Sequence, residues 1–205
     1  MMELGWALAP IERALPFLRE LSVKSEKYKT KGLSEWDTAA VFVEPILRGL
    51  GWDTLDIEQV QRESRRQDQI GDIHVLVDGK IVALLEVKPL WPNHRFDLSR
   101  NRLRNIFRNE DEHHVAQLWA EGNRFLCQDS EEHVTKRCVR NGRVFLLGVL
   151  TNGIHWLIYD LVSAYRQLRE SLEKTPLPIG EADLTSAGAN CLKNIRTLSR
   201  IALVE

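Results

Sequence analysis

Cysteine is too scarce here to hold a fold together. There are three in 205 residues, Cys127, Cys138 and Cys191, an odd number with no CxxC pair. Reduced thiols in a cytoplasmic protein are the simplest reading. Cys127, His133, Cys138 and either His113 or His114 would be the set for a zinc site, but their spacings match no zinc pattern. Charge of one sign is lacking too: 28 basic against 29 acidic residues give a formal net charge of −1. That excludes coating nucleic acid by overall charge, so an anionic partner must be gripped by a local patch. No apolar run approaches the roughly 20 residues of a membrane span. The start, "MMELGWALAPIERALPFL", has acids and a proline where a signal peptide needs a basic start and an apolar core. A cytoplasmic location and no membrane partner are expected. Repeats, low-complexity tracts and a clear linker are also missing, which points to one domain over residues 1–205.

What is present is an ordinary globular composition, 43% hydrophobic and 28% charged, long enough to bury a core. Ile11, Leu15, Leu18 and Leu21 recur at helical spacing, predicting a helix over about 10–30 that stops near Gly32. Ser34 then caps a second helix, with Asp37 as an acidic variant of the capping box. "EWDTAAVFVEPILRGL" is expected to bury Val41, Ile46, Leu47 and Leu50, to kink at Pro45 and to stop at Gly51. "DIEQVQRES" reads as a first strand. "DIHVLVD" and "IVALLEVK" flank Asp78-Gly79, a strong hairpin signal. Residues 89–108 read as a loop, about 110–126 as a helix, and the stretch to residue 142 as a polar connector. "VFLLGVL-TNGI-HWLIYD" is a second hairpin. An amphipathic helix follows from residue 161, and 181–203 is expected to be helical. The order predicts an α/β (α+β) domain with a mixed central β-sheet of about five strands flanked by helices.

One feature of the second hairpin arm breaks this pattern. "IVALLEVK" is apolar almost throughout, as for a strand buried on both faces, yet it ends with Glu86 and Lys88. Two residues apart on a strand, these side chains point to the same side. Asp72 opens the partner arm. A two-residue turn sets Val77 opposite Lys80 and Asp72 opposite Leu85, so a bulge or slip of one residue lets Asp72 and Glu86 converge. Two carboxylates and an ammonium at one sheet corner suit a hard divalent cation, whose ligands are oxygens, together with phosphate chemistry. Taken alone, Glu-x-Lys reads first as a solvent-exposed salt bridge.

"GDIHVLVDGKIVALLEVK" resembles the core motif of the PD-(D/E)xK nuclease superfamily. More narrowly, the chain is similar to the N-terminal nuclease domain of type I restriction enzyme R subunits. "SEWDTAAVFVEPILRGLGWD" resembles that family's opening helix, and "EQVQRES" its strand ending in Glu63. "HHVAQLWAEGNRF" resembles the later helix carrying a glutamine, and "VFLLGVLTNGIHWLIYD" the hairpin with TNG, Trp and Tyr. Five ordered pieces over about 34–161 are far more specific than Glu-x-Lys alone. The resemblance implies a restriction endonuclease-like core with extra N- and C-terminal helices. It also implies Mg²⁺-dependent hydrolysis of DNA phosphodiesters, with Mn²⁺ as a substitute cation. Carried over, Asp72 and Glu86 become metal ligands, joined by the carbonyl of Val87. Lys88 becomes the catalytic lysine, Glu35 the helix acid and Gln117 the accessory glutamine. Glu44, half a helical turn from Glu35, is the alternative helix acid. Two departures stand out: Glu121 replaces the tyrosine often found four residues after the glutamine, and residues 89–111 are long. The absence of a GxxxxGK loop leaves no ATP-driven motor to expect.

Arg95, Arg100, Arg102, Arg104 and Arg108 concentrate positive charge just beyond Lys88 and are the expected DNA contacts. Their structural alternative is pairing with Glu110, Asp111 and Glu112. Trp36, Trp52, Trp119 and Trp156 read as core or half-core packing, and Trp91 as a stacking residue. Restriction and defence define the expected setting. The rival function is a catalytically inactive nuclease-fold subunit that binds DNA or a partner within a larger complex. A homodimer is the further partner left open.

Overall fold

Asp78 and Gly79 both take positive φ, 50° and 71°, as a type I′ turn requires. The turn joins β2 (Ile73–Val77) to β3 (Lys80–Val87) as an antiparallel pair. Val77 lies opposite Lys80, as expected, but the ladder then skips Val82. Leu76 pairs with Ile81 and Val75 with Ala83. One extra residue in one strand is a bulge, and it shifts every later pair by one. Ile73 therefore meets Leu85. The computed structural model of the chain describes residues 20, 23–24, 27–28, 30–62, 73–90, 122, 126, 137–170, 177–183 and 198.

Apart from Lys80 at its start, β3 is buried along its whole length. It lies third in a six-stranded sheet. The others are β1 (Val60–Arg62), β6 (Leu147–Thr151), β7 (His155–Asp160) and β8 (Gly180–Asp183) beside β2 and β3. Their order is β1-β2-β3-β6-β7-β8, with β3 and β6 parallel and every other pair antiparallel. This is a mixed α/β arrangement around a mostly antiparallel sheet. The strand count exceeds the expected five because residues 180–183 are a strand and not part of a helix. "GEAD" alternates buried and exposed positions, but four small and polar residues are too short a run for that period to show.

A second correction concerns the connector. Residues 138–145 form a separate hairpin, β4 (Cys138–Arg140) with β5 (Arg143–Phe145). Its turn is Asn141-Gly142, with φ of 50° and 71°. Buried Leu146 separates β5 from β6, so the apolar run 144–150 serves two sheets.

The helix on one face starts where Ser34 Oγ accepts from the Asp37 N–H at 3.1 Å and donates to the Asp37 carboxylate at 2.7 Å. It runs as α1 (Glu35–Thr38), a π-helical segment (Ala39–Val43) and α2 (Glu44–Gly49). Pro45 explains the widening: without an N–H it cannot bond the carbonyl four residues back. Just ahead of it, the Glu44 N–H reaches Ala39 O, five residues back. The helix ends as expected, with Gly51 at φ 96°. Its apolar side, Phe42, Val43, Ile46, Leu47 and Leu50, packs with Ala83, Leu85 and Val87 of β3. Val41, expected in the core, is only half-buried. Trp36 is a further correction: it is 57% exposed, while Trp52 and Trp156 are buried as expected. On the opposite face, Leu161 of α3 (Leu161–Glu170) joins Leu84, Leu150 and Tyr159 in a second cluster. Lys31 and Gly32 both donate their N–H to Tyr28 O, and Gly32 has φ 69°, which fits the expected helix stop. No described helix is long and apolar enough to cross a membrane.

Candidate functional site

Among the described residues, the end of β3 is where the sheet buries charge. Glu86 is 5% and Lys88 8% exposed, and Lys88 Nζ contacts Glu86 Oε1 directly. Burial overturns the simple alternative of a solvent-exposed salt bridge at a strand end. Removing two such charges from water is costly, and their mutual attraction only partly offsets it. A buried pair of this kind is a poor device for stability alone. Glu35, at the first position of α1, brings Oε1 to 3.8 Å from Lys88 Nζ, and its side chain is 46% exposed. One ammonium therefore lies between a buried carboxylate and a half-exposed one.

Three backbone ties place this group. The Lys88 N–H donates to Thr151 O at 2.8 Å, extending the parallel β3–β6 ladder past the strand end. Pro89 has no N–H to offer, and the chain is caught again at Leu90. Leu33 N–H donates to Leu90 O at 2.8 Å, and Leu90 N–H to Leu33 O at 3.1 Å. Leu90 N–H also reaches Thr38 Oγ1 at 3.2 Å. The Leu33 bridge stands two residues before Glu35, so the tie that holds the exit from β3 also delivers the helix acid.

Behind the charges lies the turn "TNG". Thr151 Oγ1 accepts from the Gly153 N–H at 2.9 Å, and Asn152 Oδ1 accepts from the N–H groups of Ile154 and His155 at 3.2 and 2.8 Å. Thr38, Thr151 and Asn152 are all buried polar residues, and each side-chain oxygen accepts from a backbone N–H. Gly153 has φ 82°, and a Cβ there would lie 2.7 Å from Phe42 Cβ and 3.1 Å from Thr38 Cγ2. The turn and the helix thus approach more closely than any side chain at residue 153 allows.

Of the expected site residues, Glu86, Val87, Lys88 and Glu35 come together at this corner. Glu44 does not: it is buried and pairs with Arg62 of β1 at 2.6 Å. Asp72, Gln117 and the arginines Arg95, Arg100, Arg102, Arg104 and Arg108 lie outside the described residues. So do Glu63, Trp91, Trp119, Cys127, Cys191, His113, His114 and His133. Among the described residues, no group of three or more His, Cys, Asp or Glu side chains could hold a metal ion. Cys138 is a free thiol in β4. Thr38 is beyond sequence reasoning, because a threonine inside a helical run carries no signal for a bond to residue 90. "TNG" marked a turn but not its tie to Lys88. Searches of known proteins return nothing for this chain: no family model, curated protein or solved structure matches it.

Proposed function

We propose that the chain is a Mg²⁺-dependent deoxyribonuclease with a restriction endonuclease-like core, hydrolysing phosphodiester bonds from the corner at the end of β3. The observation that carries this reading is the buried Glu86–Lys88 pair with Glu35 beside it. The donors suit a hard cation: the carboxylates of Glu86 and Asp72 and the carbonyl of Val87 are oxygen ligands. A buried carboxylate also needs positive charge near it, which Lys88 provides in this structure. When bound, Mg²⁺ would neutralise charge growing on the phosphate and acidify a coordinated water.

The register of the hairpin supports the inclusion of Asp72. Ile73, which follows Asp72 in the chain, lies opposite Leu85, which precedes Glu86, and residues directly opposite in an antiparallel pair share a face. Lys88 orients the attacking water and stabilises the anionic pentacovalent phosphorus. Glu35 accepts a hydrogen bond from that water or helps hold the ammonium in place. Gln117 is assigned an accessory role, and Arg95, Arg100, Arg102, Arg104 and Arg108 phosphate contacts, on the resemblance and the charge pattern. A restriction or defence role goes with the resemblance.

The test is cleavage of plasmid and linear duplex DNA with Mg²⁺ or Mn²⁺, comparing wild type with Asp72→Ala and Lys88→Ala. Wild type should cut and both variants should lose at least a hundredfold, the scale of a lost acid–base or electrostatic group. Equal cleavage by all three proteins would remove the assignment. DNA binding without cleavage by wild type would favour the inactive-subunit reading.

A further inference from the structure

We infer that the β4–β5 hairpin is a second DNA-binding element, a basic β-ribbon that enters a groove of duplex DNA away from the cleavage corner. This rests on the reading of DNA as the substrate. Residues 137–145, "RCVRNGRVF", hold three arginines and no acid in a chain whose net charge is −1. The ribbon stands apart from the six-stranded sheet as a two-stranded sheet of its own. Two strands alone are marginal in water. This pair is anchored at its base, where Cys138 and Phe145 pack against the main core and Arg137 bridges to Ile81 of β3.

Beyond that base the ribbon is built for something other than stability. Arg140 and Arg143 are Cα register partners on either side of the Asn141-Gly142 turn, so the turn carries two arginines in sequence. Arg143 and both turn residues are exposed, and Val139 is 61% exposed. A polyanion suits the arginines and an apolar groove wall the exposed valine. Duplex DNA offers both, since its major groove admits a two-stranded ribbon between two rows of phosphates. The bridge at Ile81 lies five residues from Glu86 along β3, about 17 Å at the rise of an extended strand. That spacing corresponds to roughly five base-pair steps. Ribbon and corner can therefore engage one duplex at separate places.

The experiment measures binding of a fluorescent 30-base-pair duplex by anisotropy in EDTA, so that no cleavage occurs, at several salt concentrations. Wild type is compared with Arg143→Gln and with the double variant Arg140→Gln/Arg143→Gln. Folding is checked by circular dichroism, and because Arg143 is exposed and glutamine keeps a polar side chain of similar length, both variants should fold. Each lost phosphate contact should lower the log–log salt slope by about 0.9, so wild type should lose roughly tenfold more affinity than the double variant between 50 and 200 mM salt. Unchanged affinity and slope in both variants would overturn the inference, as would a wild type that binds no duplex. Competition by poly-glutamate as effective as by DNA would also overturn it, by identifying an acidic protein as the better partner. A parallel plasmid-cleavage assay with Mg²⁺, on wild type and both arginine variants, separates the two readings. Ribbon-dependent binding by a protein that never cuts removes the hydrolase and leaves the ribbon, while normal cleavage by the arginine variants does the reverse.

Discussion

Replacing Lys88 by methionine keeps most of the side chain's volume and removes the ammonium that compensates Glu86. Both groups are more than 90% buried, so the loss belongs to the range for breaking a buried ion pair, about 3–5 kcal/mol. Total stability of a domain is roughly 5–15 kcal/mol, so the variant should fold but be visibly weakened. Glu86→Gln should cost less, because Lys88 keeps a carboxylate 3.8 Å away in Glu35. The double variant Glu86→Gln/Lys88→Met strands neither charge and should recover about 2–3 kcal/mol relative to the sum of the singles, the upper end of measured couplings. Urea unfolding at pH 7, followed by tryptophan fluorescence, reads all four corners of the cycle. A Mg²⁺ arm makes the cycle specific to the proposed chemistry. At 100 times its dissociation constant, a cation bound only by the folded state restores about 2.7 kcal/mol to Lys88→Met. The same addition should do little for Glu86→Gln. Strict additivity, with singles costing under about 1 kcal/mol as exposed pairs do, would refute the reasoning.

Glu35→Gln should leave stability within about 0.5 kcal/mol, as for an exposed position, yet lower cleavage, which a plasmid assay beside a melt would separate. Gly153→Ala should destabilise by at least ~2 kcal/mol, since left-handed φ and a 2.7 Å approach to Phe42 act together. Gly142→Ala, with similar φ but open space around it, should cost only about 1 kcal/mol. Burial, and then the nearby carboxylate of Glu181, raise the Tyr159 phenol above its ordinary range. A raised folded-state value means stability is intact below the unfolded value near pH 10 and falls as pH rises beyond it, by roughly 1.4 kcal/mol per unit. Urea titrations between pH 9 and 11 should show that slope in wild type and a shallower one in Tyr159→Phe.

Local chemistry made the central hairpin legible. Asp-Gly at a turn and apolar residues on both sides determine β2 and β3, and the strand's end announces Glu86 and Lys88 as neighbours. Ser34 with Asp37, Gly32 and Gly51 likewise marked the helix ends, because capping and left-handed φ act over three or four residues. Sequence and structure part company where short segments take structure from distant partners. "GEAD" becomes a strand only because β7 offers an edge, and the apolar run at 144–150 is divided by a change of sheet at Leu146. Trp36 reads as core because an aromatic in a helical run looks so until the helix face is known.

By itself, then, the sequence determined which residues could form each element and that two opposite charges end a buried strand, since these follow from side-chain period, turn chemistry and capping. Only the tertiary structure decided what those charges meet. The bulge at Val82, the parallel β6, and the bridge from Leu33 to Leu90 bring Glu35 to Lys88. Each depends on contacts between residues far apart in the chain, whose pairing is set by the packing of the whole sheet and not by any local preference.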